Sequence, residues 1–149
     1  MNNPFDLNRF LDAQNNIYDD VLSELHQQRK TGHWMWFIFP QIKGLGLSPM
    51  SQRFAIQSLD EATAYLDHPI LGPRLLECTQ LLLAVRDRPI RHVLDTPDDM
   101  KFRSSMTLFA QATTTNRIFA EAIDRYFDGN FDDLTLNILR LLPPREGRE

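Results

Sequence analysis

The sequence has little of what marks secreted, membrane-spanning or metal-binding proteins. Cys78 is the single cysteine among 149 residues, so no disulfide can form within the chain. No apolar run approaches the ~20 residues that cross a bilayer, and the N-terminus lacks the basic and apolar regions of a secretory signal. The four histidines are scattered, without the spacing of a metal-binding helix. We therefore expect a cytoplasmic protein that holds no metal ion.

Several motifs of nucleotide-binding and hydrolytic enzymes are also missing. The glycines of residues 44–46 form neither a G-x-G-x-x-G fingerprint nor a P-loop, and no G-x-S-x-G elbow occurs. Cys78 lies in a leucine-rich helical pattern with no adjacent histidine, which favours a packing role over that of a nucleophile. The net charge of −4 implies no general attraction to nucleic acid. We predict no cofactor and neither a nucleic-acid nor a membrane partner. The oligomeric state is not readable from the sequence.

Helical periodicity and helix-capping residues organise the chain, whereas alternating strand patterns are nearly absent. They predict an all-α fold of about six to eight helices, with room for one or two short strands. We expect a single domain over residues 1–144 and a disordered charged tail over 145–149. Asp6 is the predicted N-cap of the first helix, and Ser58 with Glu61 forms a capping box. The predicted helices cover residues 7–29, 49–54, 59–68, 71–85, 90–94, 97–112, 117–127 and 132–142.

The most unusual feature is the aromatic stretch, residues 33–41 (HWMWFIFPQ). We expect it to be a short strand or a buried extended segment. Its aromatic rings either pack in the core or, where they are exposed, stack on a base. Trp34 and Trp36 are the candidates for stacking. The hydrogen-bonding neighbours Lys30 and Gln41 suit the rim of a pocket. His33 is either a general acid or base or a hydrogen-bonded structural histidine.

A second polar cluster opens the helix predicted over residues 97–112. Lys101, Ser104 and Ser105 fall on or near one helical face, with Arg103 beside them. A cation with hydroxyls could bind a phosphate or a sugar. The alternative is a solvated helix face.

Gln14 interrupts the apolar face of the first predicted helix. A buried amide needs hydrogen-bond partners, so Gln14 is either a satisfied core residue or a ligand contact. Asp12 lies two positions away, roughly 200° around an ideal helix, and cannot share that face.

Five segments together resemble a bacterial family of unknown function whose members are sometimes called calpastatin. The resemblance spans residues 5–127, and its most specific part is the aromatic stretch. It implies a small cytoplasmic helical protein. The segments are Phe5-Asp6-Leu7-x-Arg9-Phe10-x-x-Ala13-Gln14, Lys30-x-x-His33 through Gln41, Gly44-Leu45-Gly46 with Ser48-x-Met50, His68-Pro69-x-Leu71-Gly72-x-Arg74-Leu75, and Asp99-x-Lys101-x-x-Ser104 through Phe109.

The order of features is also similar to the NADAR superfamily, through Ala13-Gln14, Ser48-Pro49-Met50, His68-Pro69-Ile70-Leu71 and the segment after Asp99. That resemblance implies a nucleotide or ADP-ribose-type ligand and N-glycoside hydrolysis. The superfamily's glutamate before Ala-Gln would fall at Asn8, which cannot ionise.

The expected enzyme would therefore use Asp12 or Asp99 as its carboxylate and His33 as proton donor. Trp34 or Trp36 would stack on the base, while Lys101, Arg103 and Ser104 would hold phosphate or ribose. The alternative is a non-catalytic ligand-binding or protein-interaction module.

Overall fold

The structure is a computed structural model that describes residues 5–142. Within that range the chain is all-α, as predicted, and forms no strand. Ile42 and Ile56 make one isolated parallel bridge. The ten helices are α1 (Asn8–Asn15), α2 (Tyr18–His26), α3 (Met35–Ile38), α4 (Pro49–Arg53), α5 (Leu59–Asp67), α6 (Leu71–Leu83), α7 (Ile90–Leu94), α8 (Asp98–Ala112), α9 (Ile118–Phe127) and α10 (Asp133–Leu141).

The described residues form more helices than the predicted six to eight, for two local reasons. The first is a break in the helix predicted over residues 7–29. It ends as α1 and restarts as α2 after Asn16 and Ile17. Asparagine side chains compete for backbone hydrogen bonds, so the Asn15-Asn16 pair favours an interruption. The predicted N-cap was also wrong: Leu7 occupies that position, without a side-chain cap.

The second reason is the aromatic stretch, which is helical at its centre rather than extended. The backbone N–H of Ile38 donates to the Trp34 carbonyl at 3.2 Å, which closes one turn. Met35, Phe37 and Ile38 are buried, whereas Trp36 is only partly buried. Because the run is too short to show a period and is apolar on most sides, its sequence could not separate a buried helical turn from a strand.

Helix α8 runs through the centre of the core and packs against α3, α5, α7, α9 and α10. Phe102 and Phe109 are fully buried on it, and the Phe102 ring meets that of Phe39 edge-on at 5.1 Å. Pro97, predicted as the first helical residue, is the N-cap. The first turn of α8 reaches the surface, where Met100 is 47% exposed. The candidate site lies at this end.

No helix within residues 5–142 is long and apolar enough to span a membrane. The tail predicted over residues 145–149 lies outside the described residues, and the single-domain boundary at 144 stays a prediction.

Candidate functional site

A groove of about 270 Å³ lies beside the first turns of α8, and we call it the Lys101 groove. It joins the loop after the aromatic stretch, the start of α4, the start of α8 and the start of α10. Three residues predicted as ligand contacts, Gln41, Lys101 and Ser104, line it together. Its walls are Gln41, Leu45, Gly46, Ser51, Pro97, Met100, Lys101, Ser104, Asp132 and Leu134.

The Lys101 ammonium is held over an aromatic face. Its Nζ lies 5.0 Å from the centre of the Trp36 ring and 3.7 Å from Asp98 Oδ1. Asp98 forms a closer ion pair with Lys30, because its Oδ2 lies 2.8 Å from Lys30 Nζ. Lys101 therefore shares its carboxylate with a closer lysine and keeps donors for an anionic group. The Trp36 indole nitrogen is buried and has no hydrogen-bond acceptor among residues 5–142.

Asp132 supplies the only carboxylate among the described residues of the groove lining. Its Oδ2 accepts from the Thr135 hydroxyl at 2.5 Å, the Thr135 backbone N–H at 3.2 Å and the Ser104 hydroxyl at 3.0 Å. Asp132 thus caps α10 and is fixed in position. Its Oδ1 accepts no hydrogen bond from residues 5–142, so that atom is available to a ligand or to water.

Gln41 is positioned by the bridge between its neighbour Ile42 and Ile56. The Ile56 backbone N–H donates to the Gln41 carbonyl and the Lys43 N–H donates to the Ile56 carbonyl, both at 2.8 Å. This pairing ties the loop to the segment after α4. Within the described chain the Gln41 side-chain amide has no hydrogen-bond partner, so it can donate and accept inside the groove.

Gln14 lies elsewhere, as a satisfied core amide. Its Nε2 donates to the Phe37 carbonyl at 2.7 Å and to the Tyr65 hydroxyl at 3.0 Å. Its Oε1 accepts from Arg74 at 3.2 Å. The side chain ties α1 to α3 and α5, and the structure places it outside the Lys101 groove.

Trp34 is 3% exposed and also lies outside the groove. One oxygen of Glu24 accepts from its indole N–H at 2.9 Å and from the backbone N–H groups of Thr31 and Gly32 at 2.7 and 2.9 Å. Desolvation acts to raise the pKa of Glu24, but the donors from Gly32, Thr31 and Trp34 together lower that pKa below its ordinary value. Lys30, 8% exposed in its side chain, packs over the Trp34 ring and is committed to Asp98.

The other predicted residues are dispersed. Arg103 donates to the carbonyls of Asn130 and Phe131. Ser105 is fully buried, and its hydroxyl has no hydrogen-bond partner among residues 5–142. Asp12 and His33 are exposed and outside the groove. Asp99 lies in a neighbouring groove. Their catalytic and binding roles stay predictions, and the structure does not bring these five side chains together with Lys101 in one groove.

Sequence reasoning placed a helix start at Asp132 but missed it as a site residue. An aspartate before a helix is ordinarily a cap, which this one also is. Only the packing of α10 against α8 brings its carboxylate beside Lys101 and Ser104. No local signal in the sequence carries that information.

The described residues also bear on thiol chemistry and on metal binding. Burial raises the pKa of the Cys78 thiol to about 12, which keeps it protonated and unreactive at neutral pH. Within residues 5–142 no three side chains of the His, Cys, Asp and Glu types lie close enough to hold a metal ion.

Comparison with known proteins gives a family without an assigned activity. The profile described as "Protein of unknown function (DUF1810)" matches residues 4–139. The crystal structure of the conserved hypothetical protein Rv1873 from Mycobacterium tuberculosis is similar, with 50% identity and a TM-score of 0.92, over 94% of this chain and 100% of that one. No curated protein sequence matches. The chain belongs to the DUF1810 family of uncharacterised proteins.

Proposed function

We propose that this protein binds a nucleotide-type ligand in the Lys101 groove and hydrolyses its N-glycosidic bond, with Asp132 as the carboxylate. The observation that supports this is the meeting of an ammonium, held on the Trp36 ring, and a carboxylate with an unbonded oxygen in one groove. The groove volume of about 270 Å³ is near the lower end of ligand pockets. It suits a nucleoside monophosphate better than a whole dinucleotide.

Lys101 is the phosphate contact in this proposal. Its ammonium has three donors, and its nearest carboxylate oxygen, on Asp98, is 3.7 Å away and belongs to a group that Lys30 already neutralises. A phosphate at hydrogen-bond distance would therefore compete well for Lys101. The aliphatic stem keeps the ammonium in place by lying against Trp36.

Asp132 is the proposed general base. Water oxygen bonds to the anomeric carbon while the bond from that carbon to the base nitrogen breaks. The proton that water loses passes through Asp132 to the departing base, so the products are the ribose phosphate and the free base. Gln41 and Asp132 Oδ1 would bind the ribose hydroxyls and orient the water.

Binding is tested by calorimetric titration with AMP, adenosine and ribose 5-phosphate. Lys101→Met keeps the stem over Trp36 and removes the charge. We expect this variant to bind AMP and ribose 5-phosphate at least about tenfold more weakly, a loss of about 1.4 kcal/mol, with little change for adenosine. The matched control is Lys43→Met, because Lys43 is exposed and outside the groove. Absence of AMP binding to the wild type would overturn the proposal.

Catalysis is tested separately by chromatographic assay of free base. Asp132→Asn keeps an oxygen for capping α10 but cannot take a proton, so AMP binding should persist while base release falls at least about a hundredfold. Asp133→Asn, which changes the exposed neighbour, is the control. Tight AMP binding with no release by the wild type would instead establish a non-catalytic ligand-binding module. The single carboxylate among the described groove residues favours that alternative.

A further inference from the structure

A second groove, of about 520 Å³, lies between the start of α7, the start of α8 and the end of α9. We call it the arginine groove, because Arg88, Arg91 and Arg125 line it with Asp87, Asp99 and Tyr126. Met100 lines this groove and the Lys101 groove alike, so the two are neighbours. The proposed function makes no use of the arginine groove.

The three guanidinium groups form no ion pair with a carboxylate of the described chain. Among residues 5–142, none of them has a carboxylate oxygen within 4.0 Å. Arg125 donates to the Val85 carbonyl and Arg88 donates weakly to the Gln28 carbonyl, at 3.5 Å. The Arg91 guanidinium makes no hydrogen bond within the described chain, although the Arg91 backbone carbonyl accepts from the Asp95 N–H. Carbonyl acceptors leave the positive charge in place, and each guanidinium keeps further N–H donors for an anion.

The carboxylates in the groove limit the size of that anion. Asp87 and Asp99 oppose the three cations, which leaves a local excess of one positive charge in a chain of net charge −4. Asp99 Oδ1 accepts from the Met100 backbone N–H at 2.9 Å and so is directed partly to its own helix. A long polyanion would meet both carboxylates and the acidic surface, whereas a compact one can contact the arginines alone.

We propose that the arginine groove binds the phosphate group of a small phosphorylated molecule. Guanidinium forks match phosphate oxygens in pairs, which gives this chemistry its specificity. Arg125 is oriented for this by its carbonyl contact and by stacking, since its guanidinium carbon lies 5.4 Å from the centre of the Tyr126 ring. The volume leaves room for an organic portion beside the phosphate.

The test uses inorganic pyrophosphate as probe, in calorimetric titrations at low ionic strength. Arg91→Gln and Arg88→Gln should each weaken binding at least about fivefold, and the double variant at least about twentyfold. Arg117→Gln, an exposed arginine outside the groove, should change the dissociation constant less than about twofold. All three arginines that would be replaced are exposed, so melting temperatures should be unchanged.

Lys101→Met separates this site from the proposed nucleotide site. Pyrophosphate binding that survives Lys101→Met and falls with Arg91→Gln supports the arginine groove even if AMP never binds. Pyrophosphate binding that falls with Lys101→Met and not with the arginine variants overturns it. Equal weakening by Arg117→Gln also overturns it, because binding would then follow overall charge.

Discussion

Removing the Glu24 side chain should destabilise the fold more than removing most other single polar side chains. In Glu24→Ala, the Trp34 indole N–H and the backbone N–H groups of Thr31 and Gly32 lose one shared acceptor. A hydrogen bond to a charged group contributes about 1.5–3 kcal/mol, but Thr31 is exposed and water will replace part of the loss. We therefore expect a loss of about 3 kcal/mol in the free energy of unfolding. That corresponds to a melting temperature lower by roughly 6–12 °C.

Urea unfolding followed by tryptophan fluorescence measures this change, with Glu121→Ala as the exposed control. The pH dependence gives a second reading. The pKa of Glu24 is lowered in the folded state, so its contribution is present above the unfolded-state pKa and disappears as pH falls through the folded-state pKa. The difference between wild type and Glu24→Gln should shrink on acidification. A loss below about 1 kcal/mol at pH 7, or a difference that grows in acid, would refute the reasoning.

Three further predictions concern the core. Gly72→Ala should lower the free energy of unfolding, measured in urea, by about 2 kcal/mol or more, because a Cβ there would lie 2.1 Å from the Leu66 carbonyl oxygen. Unchanged stability would contradict the close packing of α5 on α6. Gln14→Leu should cost about 1–3 kcal/mol by the same measurement, since the buried Phe37 carbonyl loses its 2.7 Å donor and keeps only the Tyr65 hydroxyl, at 3.5 Å. Cys78 should resist a thiol reagent at pH 8 in the native state and react at once in denaturant; fast native labelling would show that its burial and raised pKa are wrong.

The sequence was sufficient for the helical class because periodicity and capping are local properties. Ser58 accepts from the Glu61 N–H as the capping box requires, and α7 has the predicted bounds, Ile90 to Leu94. The conformation of the aromatic stretch was harder to predict, because a short apolar run can be buried either as one helical turn or as a strand.

The site was only partly predictable, for a different reason. Gln41, Lys101 and Ser104 come from two segments that the sequence singled out, and the fold brings them together. Asp132 lies beside them only because α10 packs against α8. Trp34 lies outside the site, where its indole N–H donates to Glu24 on another helix. Such partnerships between distant residues cannot be read from spacing along one helix.

In the proposed function a phosphorylated nucleoside binds in the Lys101 groove, next to the Trp36 ring on which the Lys101 ammonium lies. Of the two tryptophans, Trp36 has an indole N–H without an acceptor in the described chain, whereas Trp34 donates to Glu24. Their indole ¹⁵N–¹H resonances, assigned with Trp36→Phe, can be followed by NMR during titration with AMP. We expect the Trp36 signal to shift and saturate while the Trp34 signal stays in place, and we expect Lys101→Met to weaken the shift. An unmoved Trp36 signal at saturating AMP would contradict it.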